Sequence, residues 1–219
     1  MLAGRWARRL VAVYGNTRGA ARAKSEFVAA YREAARCWDQ EVLEYVEDRE
    51  LRGVPIQWYE EPGIAKGAHA TLLVVEFSDG RPGHPPRWKA AGIGDSCLFQ
   101  VRGELLHSCF PIGNFAEFSY QPPLLPSKTA EDDVLHRNIC LTGQNWEPED
   151  AFYIATDALA AWFLRNWDAG QKPWVPLRDF NVDTDFAAWV EQQRDLNEIH
   201  NDDTTLIRID MWSTDADSR

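Results

Sequence analysis

The chain contains few of the residues that proteins use to bind zinc or nucleic acids. Its five histidines show no HxH or HxxxH spacing, and its four cysteines lie too far apart for a CxxC motif. The 23 lysines and arginines are outnumbered by 34 aspartates and glutamates, so the formal net charge is −11. A general nucleic-acid binder needs a basic face that neutralises phosphates. The composition therefore argues against a zinc knuckle and against nucleic acid as a partner.

Further sequence patterns are also absent. There is no GxxxxGK[ST] motif for a nucleotide-binding P-loop, and neither Ser96 nor Ser108 lies in a nucleophile elbow. The opening stretch "MLAGRWARRLVAVYG" is interrupted by arginines, and no apolar run is long enough to span a bilayer. We therefore expect no membrane association, and we expect a cytoplasmic protein whose thiols are reduced.

What the sequence does contain is ample material for a core. Hydrophobic residues make up 45% of the 219 residues, and there are ten tryptophans. This length suits a single domain, so we expect one domain over residues 1–219. The excess of acids has two interpretations that stay open at this point: a solvated surface, or carboxylates that bind divalent cations.

The first half of the chain changes from a helical to a strand pattern. Residues 3–14 and 20–49 have helical composition and spacing, with Gly15 and Gly19 expected to separate the two helices. From "HATLLVVEFSDG" onwards, short β-branched runs end in Gly, Asp or Pro, which is typical of strands joined by tight turns. The stretch "RWKAAGIGDSCLFQVRGELLHSCF" predicts a hairpin and a neighbouring strand, with the hairpin turn at Arg102–Gly103.

The second half begins with a long surface segment and then returns to regular structure. Residues 111–148 are rich in Pro, Ser, Asn and acids, so we expect a surface segment with only some local structure. "AFYIATD" predicts a strand and "ALAAWFLRNW" a helix that follows it. "DTDFAAWVEQQRD" predicts another helix, capped by Asp183 or Thr184. "TTLIRIDMW" predicts a last strand, and the tail "STDADSR" is expected to fray. Four tryptophans of this half are expected in the core: Trp162, Trp167, Trp174 and Trp189.

Three acidic residues fall at the ends of predicted strands. Asp95 lies in "GIGDSCLF", Asp157 follows the strand "FYIAT", and Asp202 with Asp203 precedes "TTLIRI". Carboxylates that converge from different strands are typical ligands of Mg²⁺ and Mn²⁺, and a metal ion can activate water for hydrolysis. Each residue also has a structural alternative: an Asx-turn for Asp95, a helix N-cap for Asp157, and solvation for Asp202.

The ordered set "GIGDSCLF", "FYIATDALAAW" and "NDDTTLIRI" resembles the metal-dependent protein phosphatase family of the protein phosphatase 2C type, especially its bacterial members. "GRWARRLV", "KGAHATLLVVEF" and "FPIGNFAEF" add to the resemblance, which extends over nearly the whole chain in the family's order. It implies an α+β fold, a four-layer αββα sandwich of two mostly antiparallel sheets. It also implies Mg²⁺ or Mn²⁺ as cofactor and hydrolysis of phosphoserine or phosphothreonine in a phosphoprotein substrate.

The resemblance also assigns roles to the three acids. Asp157 matches the aspartate of the family's Thr-Asp-Gly motif, and Asp202 matches the first acid of its Asp-Asn or Asp-Asp motif; both are metal ligands in the family. Asp95 matches the acid of the Gly-Asp-Ser motif, which is associated with a third, weaker metal site. The sequence departs from the motif at Ala158, where the family often has glycine.

The family's first strands and their ligands, among them a bridging aspartate, have no counterpart here, since "MLAGRWARRL" resembles the helix that follows them. Two interpretations stay open: Met1 is a misassigned start, or the chain is a truncated paralogue that has lost catalysis. We therefore hold an alternative function, a catalytically inactive phosphatase-fold module that binds or regulates a partner. Open sheet edges could then pair with another protein or with a second copy.

Overall fold

The computed structural model describes residues 2–17, 19–119, 121–128, 130–180 and 183–212. The fold combines helices with antiparallel sheets, so the expected α+β class is confirmed. The stacking of four layers stays a prediction. Of the helices in these ranges, none has the length and apolar character that a membrane crossing requires.

The helices and strands alternate along the chain. The helices are α1 Leu2–Asn16, α2 Lys24–Leu51, α3 Glu61–Lys66, α4 Asp132–Asn138, α5 Asp157–Asp168, α6 Trp174–Leu177 and α7 Asp183–Asp195, with a 3-10 turn at Phe115–Glu117. The strands are β1 His69–Ala70, β2 Leu72–Ser78, β3 Arg87–Ile93, β4 Cys97–Arg102, β5 Leu105–Phe110, β6 Leu125–Pro126, β7 Cys140–Asn145, β8 Ala151–Ala155 and β9 Leu206–Asp210.

Contacts between residues divide the chain into two compact units. The first unit is Met1–Glu76, Lys89–Gly94 and Pro123–Thr142. The second unit is Phe77–Trp88, Asp95–Pro122 and Gly143–Arg219. The expected single domain over residues 1–219 stays a prediction.

The first unit is built on the packing of α1 against α2. The helices meet through aromatic side chains, because Trp6 packs edge-on against Tyr31 and Trp38 with ring centroids 6.4 and 5.8 Å away. The Trp6 indole N–H donates to the Leu125 carbonyl oxygen at 3.0 Å, which satisfies its buried polar atom. Apolar residues at helical spacing thus give both helices a buried face.

The second unit contains a four-stranded antiparallel sheet in the order β5-β4-β8-β9. One face is covered by α5, whose Phe163 ring stacks on Phe99 of β4 with centroids 4.0 Å apart. Trp162 and Trp174 are buried in the same cluster, and Trp167 and Trp189 pack against it, so the expected core role of these tryptophans is confirmed. The remaining strands form a three-stranded sheet, β2-β3-β7, and a short ribbon, β1-β6.

Several predicted boundaries were wrong. Helix α1 continues through Gly15, so only the segment around Gly19 separates α1 from α2. The hairpin turn is Gly103–Glu104 because Arg102 still pairs with Leu105. Helix α7 begins at Asp183, so Asp183 and Thr184 lie inside its first turn and do not precede it. The tail predicted to fray, residues 213–219, lies outside the described residues.

The segment 111–148 is more regular than its composition suggested. It contains α4 and β7, and β7 is a full member of the three-stranded sheet. The sequence of β7, "CLTGQN", has one β-branched residue and a glycine, so its strand state comes from pairing with β3 and not from local propensity. Strand β3 likewise belongs to this sheet, although it had been expected beside the β4–β5 hairpin.

A buried carboxylate network holds one end of the four-stranded sheet. Asp150 is fully buried, and its oxygens accept hydrogen bonds from the Gln100 amide at 2.7 Å and from Nε and Nη2 of Arg102 at 2.8 Å each. The backbone N–H of Glu147 donates to it at 2.8 Å, and the Trp88 indole donates to Gln100 at 2.8 Å. Burial alone would raise the pKa of Asp150, but these donors outweigh it and hold that pKa below its usual value.

We predict that Asp150→Ala destabilises the protein by about 2–3 kcal/mol, because it removes the shared acceptor of a buried amide, a partly buried guanidinium and a backbone N–H. Urea unfolding measures this. In Glu147→Ala, the matched control, loss of the exposed ion pair to Arg102 should cost no more than about 1 kcal/mol.

The contribution of Asp150 to the free energy of unfolding should also depend on pH. Since the folded pKa of Asp150 is lowered, this contribution is complete above the unfolded pKa of about 3.9 and is lost as the pH falls through the folded pKa. Equal losses in both variants would contradict this role.

Candidate functional site

The three candidate acids lie beyond one end of the four-stranded sheet. Cys97 of β4 pairs with Ala155 of β8, and Ala155 pairs with Leu206 of β9, so these three residues form a row across the sheet. Asp95 and Asp157 each lie two residues beyond this row, and Asp202 lies four residues before Leu206. The register of the sheet therefore brings together acids that are far apart in the sequence.

Asp95 is positioned by the turn between β3 and β4. Gly94 has φ +106°, and a Cβ atom there would lie 2.4 Å from Cγ2 of Thr71, so a side chain is excluded by both conformation and space. The Asp95 carbonyl oxygen accepts a hydrogen bond from the Cys97 thiol at 3.3 Å. With only 8% of its surface exposed, Asp95 is one of the few buried charged residues.

Asp157 is the first residue of α5, and the N-cap position belongs to Thr156. The N-cap alternative for Asp157 is therefore wrong. The Thr156 hydroxyl makes no capping bond; it donates to the Asp203 carbonyl oxygen at 3.0 Å and accepts from the Thr205 N–H at 2.9 Å. The side chain of Asp157 is half-buried in the first turn of α5.

Asp202 lies in the exposed loop before β9. Its Oδ1 accepts a hydrogen bond from the Asp203 N–H at 2.7 Å, which fixes the carboxylate against its own backbone. Nη2 of Arg194 donates to the Asp202 carbonyl oxygen and to the Thr204 hydroxyl. The loop is thus held from α7 and, through Thr156, from the end of β8.

The three carboxylates interact electrostatically. The pKa of Asp95 is raised above its usual value, first by burial, then by the negative charge of Asp157, with a smaller contribution from Asp202. Burial, and then the charge of Asp95 among others, also raises the pKa of the neighbouring Cys97 thiol, so this thiol stays protonated. A site of concentrated negative charge exists at this end of the sheet.

The donor chemistry of this site suits a hard divalent cation. Mg²⁺ and Mn²⁺ prefer carboxylate oxygens and retain several waters, so a few acids can hold them. A bound cation would also offset the repulsion that raises the pKa of Asp95. Over the described ranges, however, no set of three or more His, Cys, Asp or Glu side chains is close enough together to hold an ion. The carboxylates share one end of the sheet without forming a closed coordination shell.

Two residues that support the site were not singled out as functional in the sequence. Thr156 connects the end of β8 to the loop before β9, and Arg194 holds that loop from α7. Thr156 had one indication, its position directly before the motif aspartate. Nothing in the sequence indicated the role of Arg194, because that role depends on a contact with Asp202 that helical spacing does not reveal. His200 accepts a backbone hydrogen bond from Asp202 N at 2.9 Å through its carbonyl oxygen.

Comparison with known proteins finds similarity only among solved structures. No protein-family model and no curated protein matches the chain. The photosystem II phosphatase PBCP aligns with 16% identity and a TM-score of 0.32, over 41% of this chain and 32% of its own. The phosphatase domain of the cell fate determinant SpoIIE from Bacillus subtilis aligns with 11% identity and a TM-score of 0.40, over 96% and 73%. PppA, a regulatory component of the T6SS in Pseudomonas aeruginosa, aligns with 17% identity and a TM-score of 0.35, over 71% and 60%.

Two of these three neighbours are phosphatases by their descriptions. The chain spans about a third of the PBCP structure and less than two thirds of PppA. The identities are 17% or lower and the TM-scores 0.40 or lower.

We predict that Asp95→Asn stabilises the metal-free protein at neutral pH. Because the folded pKa of Asp95 is raised, ionisation of this group costs folding energy, and that cost appears as the pH rises through the unfolded and then the folded pKa. The amide has no such cost. The gain should shrink in acid, where wild-type Asp95 is protonated. Urea unfolding in the presence of a chelator, at neutral and acidic pH, measures it.

Asp185→Asn is the matched control. Asp185 is an exposed aspartate on α7, so this substitution removes the same charge at a position outside the site. It should change the free energy of unfolding little at either pH. A wild-type protein that is as stable as Asp95→Asn at neutral pH would show that Asp95 carries no ionisation penalty.

Proposed function

We propose that this protein hydrolyses phosphoserine or phosphothreonine in proteins in a metal-dependent reaction, with Mg²⁺ or Mn²⁺ held by Asp157 and Asp202 and, more weakly, by Asp95. The observation that supports this most is the convergence of the three acids beyond one row of paired strands, where the charge of Asp157 and of Asp202 raises the pKa of Asp95. Acids that served only to keep the surface solvated would not need to lie close enough together to raise one another's pKa.

The three residues would have different tasks. Asp157 is half-buried in the first turn of α5, directly after the end of β8, where its carboxylate would be a ligand for a cation. Asp202 is exposed, and its carboxylate is oriented by the Asp203 N–H. The pKa of Asp95 is raised by burial and by the charges of the other two acids, so a bound cation would relieve this unfavourable environment, which suits a subsidiary ligand. When bound, the ion supplies the Lewis acidity that activates water and neutralises the phosphoryl group.

The substrate class follows from the resemblance and not from a pocket. The sequence motifs are those of a family that acts on phosphoproteins, and the structural neighbours are described as phosphatases. The site itself lies at an open end of the sheet, with Asp202 exposed, so an extended phosphorylated segment could reach it. A phosphate carries the opposite charge to a bound cation, and without that cation the acids would repel it.

We predict that Asp157→Ala and Asp202→Ala each weaken Mn²⁺ binding by at least about tenfold and abolish Mn²⁺-dependent hydrolysis of a phosphomonoester, because each removes a ligand oxygen. Asp95→Ala should lower activity less. Calorimetric titration with Mn²⁺ and a hydrolysis assay with p-nitrophenyl phosphate measure the two effects.

Asp185→Ala and Asp203→Ala are the controls for this experiment. Asp185 is a remote exposed acid, and Asp203 is the neighbour of Asp202 that carries the same charge. Retained turnover in Asp157→Ala or Asp202→Ala would remove that residue from the mechanism. A loss in Asp203→Ala as large as that in Asp202→Ala would contradict the choice of Asp202 as the ligand.

An inactive phosphatase-fold module that binds a partner is the second candidate. The observation that favours it is strand β2, which is an outer strand of the order β2-β3-β7. Its residues Leu72–Phe77, "LLVVEF", are all partly exposed, so an apolar strand edge is available to a partner protein or to a second copy of the chain.

This candidate predicts a folded 219-residue protein that self-associates and shows no Mn²⁺-dependent turnover. Sedimentation velocity over a range of protein concentrations would show the dimer. A strict monomer with metal-dependent activity would contradict the binding module and support the hydrolase.

A further inference from the structure

The first unit contains a cleft with a charge opposite to that of the whole protein. It has a volume of about 630 Å³, within the range of roughly 300–1,000 Å³ that is usual for small-molecule sites. Residues of α1, α2, α3 and β1 line it. Its charged side chains are Arg5, Arg49, Lys66 and Glu60, a formal charge of +2 in a chain whose net charge is −11. His69 adds a group that can gain a proton.

One basic residue of the cleft forms its fixed wall. Arg49 donates to both carboxylate oxygens of Glu60 at 3.1 and 3.0 Å, to the Tyr45 hydroxyl at 2.9 Å, and to the carbonyl oxygens of Val54 and Pro55. The hydrogen bond from Arg49 is the first cause that holds the pKa of Glu60 below its usual value. The charges of Arg49 and Glu60 neutralise each other, and this ion pair holds the end of α2 against the segment that leads into α3.

The other two cations are free to bind an anion. No ion pair to Arg5 or Lys66 occurs among the side chains that the structure describes, and both residues are exposed. The Arg5 guanidinium lies over the Tyr45 ring, 5.1 Å from its centroid, which orients the group while its N–H donors stay available. Two unpaired cations at one cleft repel each other until an anion lies between them.

An exposed aromatic ring stands beside these cations. Tyr59 lines the cleft with 65% of its surface exposed, and its neighbour Trp58 is 80% exposed, with the two ring centroids 5.8 Å apart. Large aromatic side chains are normally mostly buried, so an exposed aromatic pair beside a cleft indicates a surface for a planar ligand.

The surroundings restrict the size of the ligand. Residues 41–50 of α2, "EVLEYVEDRE", carry five acids and one arginine. A membrane surface or a nucleic acid is large enough to meet this whole acidic stretch and would be repelled by it, whereas a small anion would contact mainly the basic side chains that line the cleft. Single phosphate groups are well recognised by arginine and lysine, and aromatic rings stack on planar bases.

We propose that this cleft binds a small phosphate monoester that carries a planar ring, such as a nucleoside monophosphate. Arg5 and Lys66 contact the phosphate, and Tyr59 stacks on the ring. This site lies in the first unit and uses none of the three acids of the second unit. Its binding can therefore be tested in a chelator, where the proposed hydrolysis does not occur, and either proposal can fail without the other.

The test is calorimetric titration of the full chain with adenosine monophosphate in a chelator at low salt, with inorganic phosphate and adenosine as separate probes. We expect saturable binding of the monophosphate, tighter than that of either probe, and weaker at high salt. Arg5→Gln and Lys66→Gln should each weaken it by about tenfold, since each removes a charged donor. Tyr59→Ala should weaken the monophosphate by roughly fivefold or more and leave inorganic phosphate unchanged.

A blocked cleft provides a second test. A Cβ atom on Gly63 would meet nothing within 4 Å, so Gly63→Leu should fold normally and place a bulky side chain at the wall of the cleft. Gly15→Leu is the matched control, because it adds the same side chain to open space on α1 outside the cleft. Arg8→Gln is the control for charge, one turn along α1 from Arg5 and not part of the lining.

We expect both controls to bind the monophosphate as the wild type does, and no variant to have a lower unfolding midpoint than the wild type. Three results would overturn the proposal: no saturable binding by the wild type, binding of the monophosphate no tighter than that of adenosine, or equal losses in Arg8→Gln and Arg5→Gln. Undiminished binding by Gly63→Leu would place the ligand elsewhere and overturn it as well.

Discussion

The pairing of β8 with β4 on one side and β9 on the other is the constraint on which the candidate site depends. It places Cys97, Ala155 and Leu206 in one row, and three acids then follow from short stretches of chain beyond that row. Phe152 packs against Trp88 on one face of the sheet and Tyr153 against Phe163 on the other, so a slip of one residue would exchange these two side chains between two differently shaped packing surfaces. The position of the acids is therefore enforced by apolar packing at some distance from them.

Negative charge is buried near both ends of β8, but it is surrounded by hydrogen-bond donors at only one of them. At the start of the strand, Asp150 is surrounded by donors from Gln100, Arg102 and a backbone amide, so its charge stabilises the fold. Beyond the other end, Asp95 is nearly as buried, but burial and then the negative charges of Asp157 and Asp202 raise its pKa. A satisfied carboxylate is structural. A carboxylate left among other acids lowers stability, and such a cost is usually retained where a ligand repays it.

Much of this organisation could be predicted from the sequence, because it is local. Strand β8 followed by α5, and the placement of Asp95, Asp157 and Asp202 at strand ends, follow from apolar runs that stop at a polar residue. Strand β7 could not be predicted, since "CLTGQN" becomes a strand only beside β3. The basic cleft was also hidden, because Arg5 and Lys66 are 61 positions apart and contribute nothing to any local pattern. Long-range pairing, and not local propensity, decides such features.

The two hydrogen bonds of the Thr156 hydroxyl affect how β9 can separate from β8 in the second unit. The hydroxyl accepts from the Thr205 N–H and donates to the Asp203 carbonyl, so the loop before β9 is bonded to the end of β8 before the ladder between these strands begins. Fraying of β9 from this end must first break the two hydroxyl bonds. The loop that carries Asp202 consequently belongs to the same cooperative unit as the central strands, although it is exposed and irregular. The amide proton of Thr205, which is bonded to the Thr156 hydroxyl, would therefore exchange with solvent on the timescale of the sheet.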